Sequence, residues 1–244
     1  MIKKKYTLIL VILFLVGIIN YLPANTALQW IVPKGTLLNG INGTIWNGTV
    51  SEAINQNTYI RDIKWEFHPT KILLGDLSFE ISLYPFNGYL NTQITRSSNQ
   101  TIELNNLQGF LSEGTLPITA PYLGIDGQID LDIKQLKLRG NIPVKINGDI
   151  KIQSLKILGL SNQSMGNYAI KFNPTKESII GSIEGENALL DVAGTIKIDN
   201  DGNYLISGVV APNIYTPNDI KAFLNFLGSA NDKNQREFRF EGKL

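Results

Sequence analysis

From Gly43 to the C-terminus the chain alternates apolar and polar residues, and this period of two constrains the fold more than any other feature. YIRDIKWEF (59–67), DLSFEISLY (76–84), GQIDLDIKQLKL (127–138), GDIKIQSLKIL (148–158) and FRFEGKL (238–244) all repeat at every second residue. Successive side chains of a strand point to opposite faces, so such runs bury one face and wet the other, as antiparallel sheets do. Ile, Val, Tyr and Phe fill the apolar positions, the residue types that suit a pleated, half-buried surface. Asn87-Gly88, Asp126-Gly127, Asn147-Gly148 and Asp201-Gly202 punctuate the runs and read as turns, because such pairs adopt the positive φ that tight hairpins need. The 22 glycines suit many turns and bulges.

One helix interrupts the alternation. In TPNDIKAFLNFLG (216–228), Thr216 is placed to cap, Pro217 fits the first helical position and Asp219 follows three residues after the cap. Ile220, Phe223, Leu224 and Leu227 then share one face, and Gly228 can end the helix. A shorter helical turn is expected near Pro117 to Leu123. No Pro/Ser-rich linker divides the chain, and successive hairpins resemble one another without forming a countable repeat.

The N-terminus has a different texture. Lys3, Lys4 and Lys5 precede an apolar run from Leu8 to Ile19 that continues through Tyr21-Leu22 to Pro23. Tyr6 to Leu22 spans about 17 residues, the low edge of what crosses a bilayer. A cut after Ala24 would leave Leu22 at −3 and Pro23 at −2, and a cut after Ala27 would leave Asn25 at −3, so both cleavage sites are poor. The expectation is an uncleaved anchor, with a cleaved signal sequence as the alternative. The lysines then stay cytoplasmic and the rest lies outside the cytoplasm. The expected division is a cytoplasmic tail at 1–5, a transmembrane anchor at 6–22 and a β-rich domain at 23–244. The expected fold class is mainly β: a single N-terminal transmembrane helix, then an elongated, curved antiparallel sheet with one short C-terminal helix.

Residues that could carry chemistry are few. Cys is absent, which removes disulfides, a thiolate nucleophile and thiolate metal ligands. The one histidine, His68, has no H-E-x-x-H or G-x-S-x-G context, so it reads as a turn residue. The glycines at 40–48 lack the G-K-[ST] of a phosphate loop. Asp130 and Asp132 alternate with Ile129, Leu131 and Ile133, the pattern of a solvated strand face rather than a carboxylate site with Asp126. DNDGN (199–203) resembles a calcium loop, but Val210 stands where the closing Glu would be, so a hairpin turn is expected. Asn42, Asn47, Asn99 and Asn162 begin Asn-x-Ser/Thr triplets, which an Asn-rich chain generates by chance. A formal net charge of +1 with no basic stripe argues against nucleic acid. The chain is expected to be no enzyme, with no cofactor and no metal.

Two tryptophans sit in marked surroundings. Trp46 lies within NGINGTIWNGTV (39–50), between Asn-Gly pairs, and Trp65 shares a strand face with Ile63 and Phe67. Both are expected to be core anchors, Trp46 on the first strand of a hairpin. The order of an N-terminal anchor, GTIWNG (43–48) and IKWEFHPTKILLGDL (63–77), with Trp65 and Pro69 spaced W-x-x-x-P before Leu73-Leu74, resembles the protein N family of the type II (general) secretion pathway of Gram-negative bacteria. The tail, with a helix ending in FLG and a closing F-x-G-x-L at Phe240 to Leu244, is similar too. The resemblance makes Trp46, Trp65 and Pro69 structural anchors. It implies a single-pass inner-membrane component with a periplasmic β domain, accessory to the machine that exports folded proteins across the outer membrane. Its partners would be other inner-membrane secretion subunits and the phospholipid bilayer. Ile220, Phe223, Leu224 and Leu227 form a candidate interaction helix. More loosely, the extended sheet resembles the β grooves of envelope lipid-transfer proteins, so a groove that binds lipid is the alternative.

Overall fold

Among the described residues the alternating runs form one antiparallel sheet of fourteen strands. The computed structural model describes residues 10, 14, 17–18, 20–56, 58–119, 124–159, 163–175 and 178–244. The strands are β1 (Leu37–Asn39), β2 (Asn42–Gly43), β3 (Asn47–Asn55), β4 (Thr58–Phe67), β5 (Leu77–Pro85), β6 (Tyr89–Arg96), β7 (Thr101–Leu111), β8 (Ile125–Arg139), β9 (Ile142–Ile157), β10 (Asn167–Pro174), β11 (Ser178–Glu186), β12 (Leu190–Asp199), β13 (Asn203–Pro212) and β14 (Arg236–Lys243). From β3 to β14 each strand pairs with its neighbour in sequence, β1 pairs with β3 at one edge, and β2 is a short spur on β3. At about 4.8 Å per strand the sheet is about 60 Å across, against roughly 30 Å along a nine-residue strand. The other edge, β14, carries Arg236, Glu237, Arg239, Glu241 and Lys243, charges that discourage pairing with a further chain.

The strict pairing is interrupted by shifts in register between β4 and β5, β6 and β7, and β8 and β9. Asp62 adopts φ 48°, and the pairing of β4 with β5 slips between Arg61 and Lys64. The phase changes there, so Ile60 reaches the same face as Ile63 and Trp65. Asp126-Gly127 and Asn147-Gly148 are not turns but lie inside β8 and β9, beside shifts in register. Gly148 has φ 138°, and a Cβ there would lie 2.3 Å from the Asp132 carbonyl oxygen. The β8–β9 turn falls instead at Gly140, φ 61°.

Among the described residues, short helices flank the sheet at α1 (Ala24–Ile31), α2 (Thr115–Thr119) and α3 (Asn218–Leu224). α3 starts later than its sequence signals suggest. Pro217 is its N-cap, and the buried Thr216 hydroxyl is bonded to the Leu189 carbonyl rather than capping. A 3-10 turn, Asn225–Leu227, extends the helix to Gly228. Ile220 and Leu224 are buried against Met165, Tyr168, Leu190 and Val210, with half-buried Leu227 beside them. Burial, then the nearby Asp191 carboxylate, pushes the Tyr168 phenol up to about 12. Towards the other end of the same strands a second cluster forms around Phe172, Ile179 and Ile198. Most of the expected membrane anchor, 6–22, lies outside the described residues. Among the described residues no helix is long and apolar enough to cross a membrane.

Candidate functional site: an apolar groove beneath the first helix

The site begins at a tight turn. Thr44 N donates to the Asn47 carbonyl at 2.8 Å, and the Thr44 hydroxyl accepts from the N–H groups of Trp46 and Asn47, each at 3.3 Å. Gly43, φ 89°, permits the close approach: a Cβ there would stand 2.3 Å from the Asn47 oxygen. Trp46 therefore sits in the turn between β2 and β3, not on a strand as alternation suggested. Its carbonyl accepts from Phe67 N at 2.9 Å, and the Asn47 side chain accepts from the same N–H at 3.1 Å.

Trp65 completes the unit. It stands opposite Gly48 in the β3–β4 register, and a Cβ at position 48 would lie 2.4 Å from its indole Cζ2. The indole N–H donates to the Ile45 carbonyl at 3.0 Å. The two tryptophan motifs are thus one structure, a turn clasped by the neighbouring strand. Trp46 packs on Phe67, with ring centroids 4.5 Å apart, and Phe67 on its cross-strand partner Phe79 at 5.2 Å. Both indoles are half-buried, because one side of each faces a cavity. Pro69 is exposed and opens a 3-10 turn, Pro69–Leu74, so its contribution is a fixed φ rather than packing.

Helix α1 is clasped to the same turn. Ile45 N donates to the Leu22 carbonyl at 3.0 Å, and Pro23 bridges to Thr44. Ala24, Ala27, Leu28 and Ile31 follow the i, i+3, i+4, i+7 spacing of one helical face, and all four meet the sheet side. Ala24 and Ala27 are small enough for the helix to lie close, and both are buried. The signal for α1 was present in the sequence, but it was missed because the helix directly follows the longer apolar run. Between α1, β3, β4 and β5 lies a cavity of about 930 Å³. Val50 and Ala53 are buried in its floor, Ile60, Trp65 and Phe79 wall it, and Ile118 of α2 contributes from the far end. Its few polar lining groups are amides and hydroxyls, such as the Asn55 amide bonded to Thr36 at 2.8 Å, and among the described residues no ionisable side chain lines it. The volume falls in the upper part of the range for small-molecule sites, about 300–1,000 Å³. Such a wall can hold an aliphatic chain.

The remaining residues singled out in the sequence are scattered. His68 Nε2 lies 3.8 Å from a Glu80 oxygen, at the end of β4. Asp126 is buried and accepts from Gly114 N at 2.8 Å, whereas Asp130 accepts from Gln128 and Gln153, and Asp132 from Gln108. The Asn203 side-chain amide, then backbone N–H groups of the turn, hold the Asp199 carboxyl below its ordinary range, so its oxygens serve the hairpin. Among the described residues no group of three or more His, Cys, Asp or Glu side chains could hold a metal ion. Phe223 turns outward from α3, and its ring lies 6.0 Å from exposed Phe226. Asn162 lies outside the described residues.

Comparison with known proteins gives this geometry a context. The family described as "Type II secretion system (T2SS), protein N" matches residues 34–239. A Vibrio cholerae serotype O1 protein named "Type II secretion system protein N" is 21% identical over 252 residues, covering 98% of both chains. A protein of the same name from Aeromonas hydrophila is 22% identical over 261 residues, covering 98% of this chain and 100% of its own. No solved structure matches the chain.

Proposed function

The chain belongs to the type II secretion system protein N family, and from that premise we propose that it is an accessory, non-catalytic subunit of the secretion machinery. It is held in the inner membrane by residues 6–22, with its sheet in the periplasm, and it supports export of folded proteins across the outer membrane. The end-to-end match with the two relatives is the observation that carries this reading. The lysine cluster followed by an apolar run supports the placement. Contacts with other subunits are expected at the exposed Phe223–Phe226 pair, since large apolar groups grouped on a surface mark interaction sites.

The test is deletion of the gene with complementation by wild type or Phe226→Asp, following folded exoproteins in the medium. Secretion should fall on deletion and stay low with the variant, at unchanged protein level. Normal secretion and normal machine assembly after deletion would remove the reading. A second reading, a lipid-binding protein of the envelope, is favoured by the 930 Å³ apolar groove. Stoichiometric phospholipid extracted from the purified full chain, with secretion intact and envelope permeability altered in the deletion strain, would establish it instead.

A further inference from the structure

The 3-10 turn Pro69–Leu74 between β4 and β5 carries Ile72, Leu73 and Leu74 in succession. Leu73 is 88% exposed and Leu74 73%, and Ile72 is about half exposed. Connecting turns of a water-facing sheet are ordinarily polar, and three consecutive bare aliphatic residues mark a surface that meets something apolar. The turn is fixed in place rather than loose. Gly75, φ 79°, closes it with an N–H donated to the Ile72 carbonyl, and His68 N donates to Ser78 across its base.

What it meets follows from where it sits. The Leu22 carbonyl accepts from Ile45 N, the Trp46 carbonyl accepts from Phe67 N, and Phe67 is two residues before Pro69. The end of the N-terminal apolar run is therefore tied to the base of the turn through two hydrogen bonds, with no linker between Leu22 and the clasp. As a helix, Tyr6 to Leu22 would reach only about 25 Å, short of a hydrocarbon core of about 30 Å. A short span is accommodated by local thinning of the bilayer, which leaves a segment joined directly to its end at the level of the headgroups. Lys71 lies in the same turn and Arg96 stands opposite Leu77 on the adjoining strand, cationic side chains of the kind that pair with lipid phosphates beside an inserted apolar group.

Resting on the membrane-anchored reading, we infer that Ile72, Leu73 and Leu74 insert into the periplasmic leaflet of the inner membrane beside the anchor. They form a second contact that sets the sheet's orientation on the bilayer. Because the chain has no cysteine, Leu73→Cys supplies a single thiol for a nitroxide probe, at a site too exposed for the change to disturb folding. The full chain is placed in nanodiscs of phosphatidylethanolamine and phosphatidylglycerol. Collision of the probe with oxygen, which enters lipid, is compared with collision with a water-soluble nickel complex. Phe14→Cys reports the anchor. Ile214→Cys, 87% exposed and beyond the opposite end of β13, reports water.

The oxygen-to-nickel ratio at Leu73→Cys should be severalfold above that at Ile214→Cys and approach that at Phe14→Cys. If Phe14→Cys reads lipid while Leu73→Cys reads water, the inference fails and the anchor stands. If Phe14→Cys itself reads water, both fall. A Leu73→Cys probe shielded from both reagents would mean that protein rather than lipid covers the turn, which also overturns it.

Discussion

Gly48 and Trp65 hold one another's identity. A methyl group at position 48 would meet the indole Cζ2 at 2.4 Å and the Asn42 carbonyl oxygen at 2.7 Å. The ring cannot retreat freely, because its N–H is bonded to the Ile45 carbonyl in the turn that also clasps Leu22. Gly48→Ala should therefore cost on the order of 1–3 kcal/mol through overpacking. Trp65→Phe keeps much of the apolar ring but withdraws the donor from Ile45, at a cost of about 1–3 kcal/mol. The smaller ring also vacates the space that an alanine at 48 would need. The double variant should then be destabilised by clearly less than the sum of the two single changes, as groups in contact are. Urea melts of the four proteins measure this, and strict additivity would show that the glycine and the indole do not depend on each other.

At the scale of elements, α3 and the 3-10 turn that extends it divide their apolar residues between two faces. Ile220 and Leu224 are 1% and 2% exposed within the cluster around Met165 and Tyr168, while Phe223 and Phe226 are exposed. Leu224→Ala should lower stability by about 2–5 kcal/mol, the range for truncating a buried aliphatic side chain. Phe226→Ala should change it by about 0.5 kcal/mol or less, as surface substitutions do. Equal losses in a thermal melt would mean that Phe226 is packed and is no docking residue. The strands themselves were legible, because a buried face must alternate with a wet one. Ile220, Leu224 and Leu227 were legible for the corresponding reason at a period of 3.6, whereas Phe223, expected on the same stripe, is exposed. The failures were places where one more contact overruled a local signal. Thr216 gives its hydroxyl to Leu189 instead of the helix, Asp62 inserts a bulge that shifts the phase of β4, and Gly127 and Gly148 relieve long strands instead of turning them. The groove was not legible, because alternation tells which face of a sheet is apolar and says nothing of what lies over it. Only the spacing of Ala24, Ala27, Leu28 and Ile31 pointed to its lid.

The whole molecule is close to a one-dimensional array, because from β3 onward each strand touches its neighbours in sequence. Stability in such an array is a sum of local terms, and distant parts open separately. Among the described residues, both clusters of buried apolar residues belong to the C-terminal half, around Met165, Tyr168, Leu190 and Val210 and around Phe172, Ile179 and Ile198. The N-terminal half places Ile60, Trp65 and Phe79 around a cavity of about 930 Å³, and side chains that face a cavity forgo the dispersion contacts a filled core would supply. Amide hydrogen exchange should therefore be uneven along the sheet. Protection should be highest in β9 to β13 and lowest in β1 and β3 to β5, although the backbone pairing is continuous through both. A long-chain fatty acid that occupies the groove should raise protection in α1 and β3 to β5 and leave β9 to β13 unchanged, since the added contacts reach only the lining. Uniform protection along the sheet, or a rise spread over all strands, would show that the sheet opens as a single unit and that the cavity is not its weak point.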